Sequence, residues 1–259
     1  MLLRFAEERR ADHPSAEASR EFARIVGRES EGGLLVRIWD EGRLGGEEAV
    51  AEQLRFGGID LARLQARALE SYSATAGRLG APFRFADEAA MARAMEGPEG
   101  RSLAEELTEE RLILLAWYDG GPECRLLPPG RPSGDFSGLR IGVDPSRSAM
   151  DLVAAAGGTP VPLALRDFRR AHEADLVDGF YTTLLAASSE RLLDSLAAKA
   201  EPASRSLELV VASRVTFMQL LPADRGTLLR AAAASAELQK DFRFLAERRV
   251  REALAGGTL

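Results

Sequence analysis

GLRIGVDPSRSAMDLVAAAGGTPVPLALRDFRRAHEADLVDG, residues 138–179, is the stretch whose reading decides the fold. Gly138-Leu139-Arg140-Ile141-Gly142-Val143 reads as a strand, a helix starts near Arg147 after Asp144-Pro145-Ser146, and Gly157-Gly158-Thr159-Pro160-Val161-Pro162 reads as a turn. A second helix and Val177-Asp178-Gly179 follow. Strand and helix alternating at this spacing point to βαβ units, whose helices cover both faces of a mainly parallel sheet.

The same alternation extends toward the N-terminus. Leu2 to Ala6 is a short apolar run, and Asp12-His13-Pro14-Ser15 supplies a turn and cap for a helix over Ala16 to Arg28. Ala18, Phe22, Ile25 and Val26 share one face of that helix. Gly32-Gly33 ends it, Leu34 to Trp39 alternates as a second strand, and a helix is expected over Glu47 to Phe56. A third short strand follows around Ile59 to Ala62. Residues 63–85 are ambiguous, two acidic helices are expected around 87–107, and Leu112 to Trp117 reads as a buried strand. Gly120-Gly121-Pro122 and Pro128-Pro129-Gly130-Arg131-Pro132 then punctuate a loop-rich crossing. Farther on, a long helix is expected from Thr182 to about Lys199, a strand over Leu207 to Ala212, and a long helix from Pro222 to about Ala255. The expected organisation is α/β and two-lobed, with lobe one over 1–119 and lobe two over 120–205. Residues 206–221 return to lobe one, and 222–259 carry a C-terminal helix spanning both.

Bulk properties exclude several classes. A chain of 259 residues, 46% of them hydrophobic, buries a substantial core. Its 34 basic and 40 acidic groups are interspersed, so no basic face forms for a nucleic-acid backbone. One cysteine, Cys124, and two histidines, His13 and His172, leave no intrachain disulfide and no zinc cluster of three or four Cys/His ligands. Nor do they assemble into a nucleophile, base and orienting group, so neither enzyme chemistry nor a cofactor is expected. The opening Met1-Leu2-Leu3-Arg4-Phe5-Ala6-Glu7-Glu8 turns charged too soon for an export signal. Met1 is therefore read as standing where a leader or lipid anchor has been removed. No stretch approaches the roughly 20 apolar residues a membrane helix needs.

The 138–179 unit resembles the solute-binding proteins of TRAP transporters, and other segments match in the family's order. These are Trp39 to Gly45, Glu52 to Ala62, Pro82-Phe83 before Asp87, and Leu220-Leu221-Pro222 at the start of the last helix. The resemblance implies a two-lobed periplasmic-binding-protein-like fold with a ligand between lobes that close by hinge motion. It implies an extracytoplasmic or periplasmic protein, lipid-anchored or free. Its partners are then a small-molecule ligand, the small and large TRAP membrane subunits, and in some systems a tetratricopeptide-repeat protein.

Departures from the family pattern carry the ligand argument. The family's strand after Gly-Leu-Lys bears an arginine that pairs with a bound carboxylate, and that position is Gly142. A second ligand-facing arginine falls on Pro122, an aromatic residue on Leu165, and an asparagine on Thr182, with Phe180 and Tyr181 before it. Glu8 and Gln65 fall where the family places polar contacts at strand ends. The chain thus resembles an atypical member whose cleft has exchanged two cations for neutral, more apolar lining and takes a hydrophobic or weakly polar solute. Plainer readings stand beside these. Gly142 also fits a bulge or close backbone approach, Phe180 and Tyr181 fit ordinary core, and Arg147 fits either a relocated anion site or solvated surface. A carboxylate at Glu8 requires a partner or a proton if buried, or a place at the rim beside Arg9 or Arg10. The rival from another class is a sensor or scaffold that has kept the fold and acts through protein partners.

Overall fold

The computed structural model describes residues 1–130 and 135–256. Its centre is one eight-stranded sheet. In chain order the strands are β1 (Leu2–Ala6), β2 (Leu35–Trp39), β3 (Leu61–Gln65), β4 (Leu112–Leu127), β5 (Arg140–Val143), β6 (Thr159–Pro162), β7 (Gly179–Thr183) and β8 (Ala197–Ser213). They lie side by side as β2-β1-β3-β8-β4-β7-β5-β6. β1 runs parallel to β2 and β3, and β5 runs parallel to β6 and β7. Between these two parallel triplets the long β4 and β8 pair antiparallel with each other and with their flanking strands.

Helices cover both faces of each triplet. α1 (Pro14–Glu29) begins where the His13 ring nitrogen Nδ1 accepts from the Ser15 N–H, with Pro14 at the first helical position. Its Phe22, Ile25 and Val26 pack with Leu3 and Phe5 of β1 in one apolar cluster. On the opposite face, α2 (Glu47–Arg55), α3 (Ala74–Gly80), α4 (Glu88–Glu96) and α5 (Pro98–Glu109) enclose a second cluster around Leu54, Leu79, Met91 and Leu103. The other triplet is covered on one side by α6 (Arg147–Ala155) and on the other by α7 (Phe168–Glu173) and α8 (Leu184–Ser189). α9 (Arg214–Gln219) precedes α10 (Pro222–Gly256), which packs Leu228 and Ala231 into the α1 cluster and carries Val250 into the α8 cluster.

Several elements differ from their sequence reading. Gly120-Gly121-Pro122 lies inside β4, where the register against β8 shifts between Asp119, Pro122 and Cys124. Gly121 has φ +89°, and a bulge tolerates both that conformation and a proline without an N–H. The expected break in composition therefore falls within a strand shared by both halves. Arg131 and Pro132 of the proline-rich segment lie outside the described residues, as do Gly257 to Leu259. Thr159 to Pro162 is a strand at the sheet's edge, where its prolines interrupt no central ladder. The long helix expected from Thr182 is the six-residue α8, capped by the Thr183 hydroxyl accepting from the Ala186 N–H. Arg191 at φ +57° ends that run, and β8 starts at Ala197.

The β1–β3 half is tied together by buried charge. Arg63 on β3 is fully buried, donating through Nε and Nη2 to Glu7 at 2.9 and 2.6 Å and through Nη1 to Glu47 at 2.7 Å. Arg9 donates through Nη2 to Glu208 on β8 at 3.0 Å, and Glu208 also lies 3.5 Å from Arg63. Ser19 of α1 donates to Glu7, and the Gln65 N–H donates to Glu47. One guanidinium thus joins the segments after β1, the start of α2 and β8. Replacing Arg63 with methionine strands Glu7 and Glu47 in the interior, and removing one partner of a buried pair costs about 3–5 kcal/mol. Urea denaturation of R63M is expected to show a loss of that size with an unchanged slope.

Candidate functional site

A cavity of about 170 Å³ is lined from both halves of the sheet. Its walls come from where parallel strands end. Glu8 and Arg9 follow β1, Gln65 ends β3, Asp144 to Ser146 follow β5, Leu163 to Leu165 follow β6, and Thr182 lies near the end of β7. Crevices beyond the carboxyl ends of parallel strands are where open α/β sheets hold ligands. Glu47 and Glu48 at the start of α2 and Phe168 at the start of α7 complete the lining.

The structure brings Glu8, Gln65, Leu165 and Thr182 together at the cavity. It places the remaining expected contacts elsewhere. Phe180 is fully buried behind the wall, its ring stacked 4.7 Å from that of Phe168. Tyr181 points into a buried polar cluster, donating its hydroxyl to Glu123 at 2.6 Å. Pro122 pairs with Arg205 inside the β4–β8 ladder, away from the cavity. Arg147 turns to solvent, with its side chain 86% exposed and 3.8 Å from Asp151, so it supplies no relocated anion site.

Sequence reasoning missed Arg9, Glu47, Glu48, Asp144, Ser146 and Phe168 as lining. Position just past a strand end was the available signal for Arg9, Asp144 and Ser146. The start of a predicted helix was the signal for Glu47. The expectation of neutral lining is thereby corrected. Charged groups border the cavity, but in a balance that favours carboxylates. Arg9 presents a guanidinium whose Nε and Nη2 are engaged by Glu208. Across the cavity Asp144 receives Arg67 Nη2 at 2.9 Å, and Arg67 also pairs with Glu123. That ion pair links the segment after β3 to the end of β5 and so crosses between the halves.

Glu8 does not lie at the rim beside Arg10, and Arg9 is committed to Glu208. Its side chain is buried, and among the described residues its hydrogen bond is a long one, 3.4 Å from the Leu165 N–H. Burial, followed by the adjacent Glu47 carboxylate, pushes Glu8 up to about 8 against the opposing pull of Arg9 and Arg63. Burial raises Glu47 as well. Because Arg63 and the Gln65 N–H hold both oxygens of Glu47, the proton belonging to this coupled pair resides on Glu8. Burial also opposes ionisation of Glu208, yet Arg63 and Arg9 outweigh it and bring that group down to about 2. His13 is held neutral, its imidazole lowered to about 3 by burial and by Arg9. At the exposed mouth, partial burial and then Asp144 and Glu70 raise Glu48.

The surroundings of Gly142 explain why no arginine stands at that position of β5. A Cβ built there lies 2.5 Å from the Phe180 ring and 3.6 Å from Leu163. The ring occupies the volume a side chain would use, a close approach and not a bulge. Gly142→Ala is expected to lower stability by about 1–3 kcal/mol, with Phe180→Leu in the same chain recovering part of the loss in chemical denaturation. The Glu8 proton gives a second expectation. Between pH 4.5 and about 8 the folded state binds a proton that the unfolded state has released, so stability falls as pH rises through that window. Wild type is expected to lose up to about 1.4 kcal/mol per pH unit relative to Glu8→Gln and to level off above pH 8, as read from urea midpoints across pH.

Residues 5–256 match the family described as bacterial extracellular solute-binding protein, family 7. A solute-binding protein of Chromohalobacter salexigens is 26% identical over 169 residues, 64% of this chain, which spans half the length of that relative. The sugar acid binding protein DctPAm of Advenella mimigardefordensis, solved with galactonate, superposes with a TM-score of 0.94 at 22% identity, covering 100% of this chain and 84% of its own. A TRAP periplasmic solute-binding protein of Roseobacter denitrificans, solved with β-D-glucuronate, gives 0.92 at 22% identity, covering 99% of this chain and 86% of its own. With a two-lobed sheet of that shape and a family match running nearly end to end, the chain belongs to family 7 of the bacterial extracellular solute-binding proteins.

Proposed function

We propose that this protein is the extracytoplasmic solute-binding subunit of a TRAP-type transporter, capturing a small solute in its cleft and delivering it to the membrane subunits. The observation that carries this reading is a cavity built jointly by both parallel triplets at their strand ends. A site made this way changes shape whenever the halves move relative to one another, which is the coupling that a capture-and-release protein needs. Two strands, β4 and β8, run between the halves, and their ladder carries the register shifts at which a sheet bends most readily. Among the described residues no helix is long and apolar enough to cross a membrane, so capture is assigned here and translocation to partners.

At about 170 Å³ the cavity is smaller than the 300–1,000 Å³ typical of drug-sized ligands. The solute is therefore compact. Leu163, Leu165 and Phe168 offer it one apolar wall, and Glu8, Gln65 and Thr182 offer it hydrogen-bonding groups. A molecule with one apolar and one polar face suits this lining better than a wholly greasy one. No chemistry is assigned to the site.

Native mass spectrometry of protein purified under gentle conditions is expected to show a small molecule that dissociates on denaturation. Leu165→Trp, which fills the cavity, is expected to lose that adduct while keeping the wild-type melting temperature to within a few degrees. Retention of the adduct by the filled variant removes the cleft from the function.

A further inference from the structure

We infer that the cleft selects a small organic cation, a solute whose protonated amine docks on Glu8 while its apolar part lies against Leu165 and Phe168. This rests on the solute-binding reading and adds the charge of the solute. Three separate observations lead to it.

The first is the missing partner of Glu8. A carboxyl group that is only 8% exposed, lines the cavity and has one long hydrogen bond from Leu165 leaves acceptor capacity directed at whatever fills that space. Buried carboxylates are otherwise paired. The second is the charge balance around it. Arg9 and Arg63 together face Glu7, Glu47 and Glu208 through hydrogen bonds or close ion pairs, so the cluster already carries an excess carboxylate before Glu8 ionises. Asp144 after β5 and the exposed Glu48 on α2 border the same space. An incoming anion meets this excess with its sign repeated, and an incoming ammonium meets it with the sign reversed. The third is that the cations near the cavity are already committed, at least in part, to carboxylates. Arg9 is engaged by Glu208, Arg67 is held by Glu123 and Asp144, and the space beside Gly142 is occupied by the Phe180 ring.

Binding then exchanges one positive partner for another. In the empty cleft Glu8 holds a proton because burial and Glu47 disfavour its charge while Arg9 and Arg63 only partly compensate. As the ammonium arrives, that proton leaves to solvent and an N–H of the amine donates to the carboxylate. Below the pH at which Glu8 ionises in the empty protein, amine affinity should rise about tenfold per pH unit, and above it the dependence should flatten.

The test uses the full chain and Glu8→Gln in isothermal titration calorimetry at pH 6, 7, 8 and 9. Ethanolamine, putrescine and glucosamine serve as amine probes, with galactonate and glucuronate as acids and galactose as a neutral control. At least one amine is expected to bind wild type more tightly than every acid and the neutral sugar. Its affinity is expected to rise with pH and level near 8, and to fall at least tenfold in Glu8→Gln. Titrations in buffers of different ionisation enthalpy are expected to show proton release at pH 7. Glu8→Gln should melt no lower than wild type at pH 8, which separates lost binding from lost folding. Tighter binding of an acid or of galactose, amine affinity unchanged in Glu8→Gln, or no amine binding at all overturns the inference. An acid that binds wild type more tightly than any amine, but does not bind Leu165→Trp, overturns the charge assignment alone and leaves the solute-binding reading intact. Retention of a co-purified molecule by Leu165→Trp strikes at that reading itself.

Discussion

The position of Arg63 constrains everything around the cleft. A guanidinium with no exposed surface has to be matched on several sides, and it is matched by Glu7 after β1, Glu47 at the start of α2 and Glu208 on β8. Those partners come from segments far apart in sequence, so the ion cluster can form only when β1, β3, β8 and α2 stand in their final places. Removing it leaves several carboxylates without countercharge, which is why such clusters specify arrangement more than they add net stability. The same cluster sets the floor of the cleft. Glu47, fixed by Arg63, lies beside Glu8 and lifts its proton affinity, and Arg9, fixed by Glu208, presents only part of its guanidinium to the solute.

The two sides of the cleft are built from different materials. The β1–β3 side contributes carboxyl and amide groups supported by buried ions, and the β5–β7 side contributes Leu163, Leu165 and Phe168 backed by the Phe168–Phe180 stack. A solute that touches both sides reads charge on one and shape on the other. Displacing water from this space would strengthen the electrostatic part as the dielectric falls. The Arg67–Asp144 ion pair already bridges the two sides, so any opening motion has to lengthen or break it.

Local chemistry made much of this legible in the chain. The 138–179 unit shows its first strand and helix because Gly157-Gly158 ends that helix without help from distant residues, whereas Thr159 to Pro162, read as part of a turn, pairs with β5 as the edge strand. Glu8, Gln65, Leu165 and Thr182 were found as cavity residues because each sits at or near a strand end in the order the family keeps. What stayed hidden depends on partners remote in sequence. Gly120-Gly121-Pro122 looks like a loop until β8 is laid against it. Thr182 to Lys199 looks helical until Arg191 turns left-handed and Ala197 pairs with Leu127. Arg63 and Arg67 flank Leu64 and Gln65 in a segment with no clear period, and nothing local tells that both guanidiniums point inward. The loss of arginine at Gly142 and Pro122 was visible, but the carboxylates that surround the cleft instead come from α2 and from the turn after β5.

The contact between Gly142 and Phe180 locks two positions to each other. Placing arginine at position 142 while the ring remains drives a side chain into a filled volume, and shrinking the ring while glycine remains opens a void beside Phe168. Each single change is unfavourable by itself, so a side chain at position 142 and a smaller residue at position 180 have to arrive together.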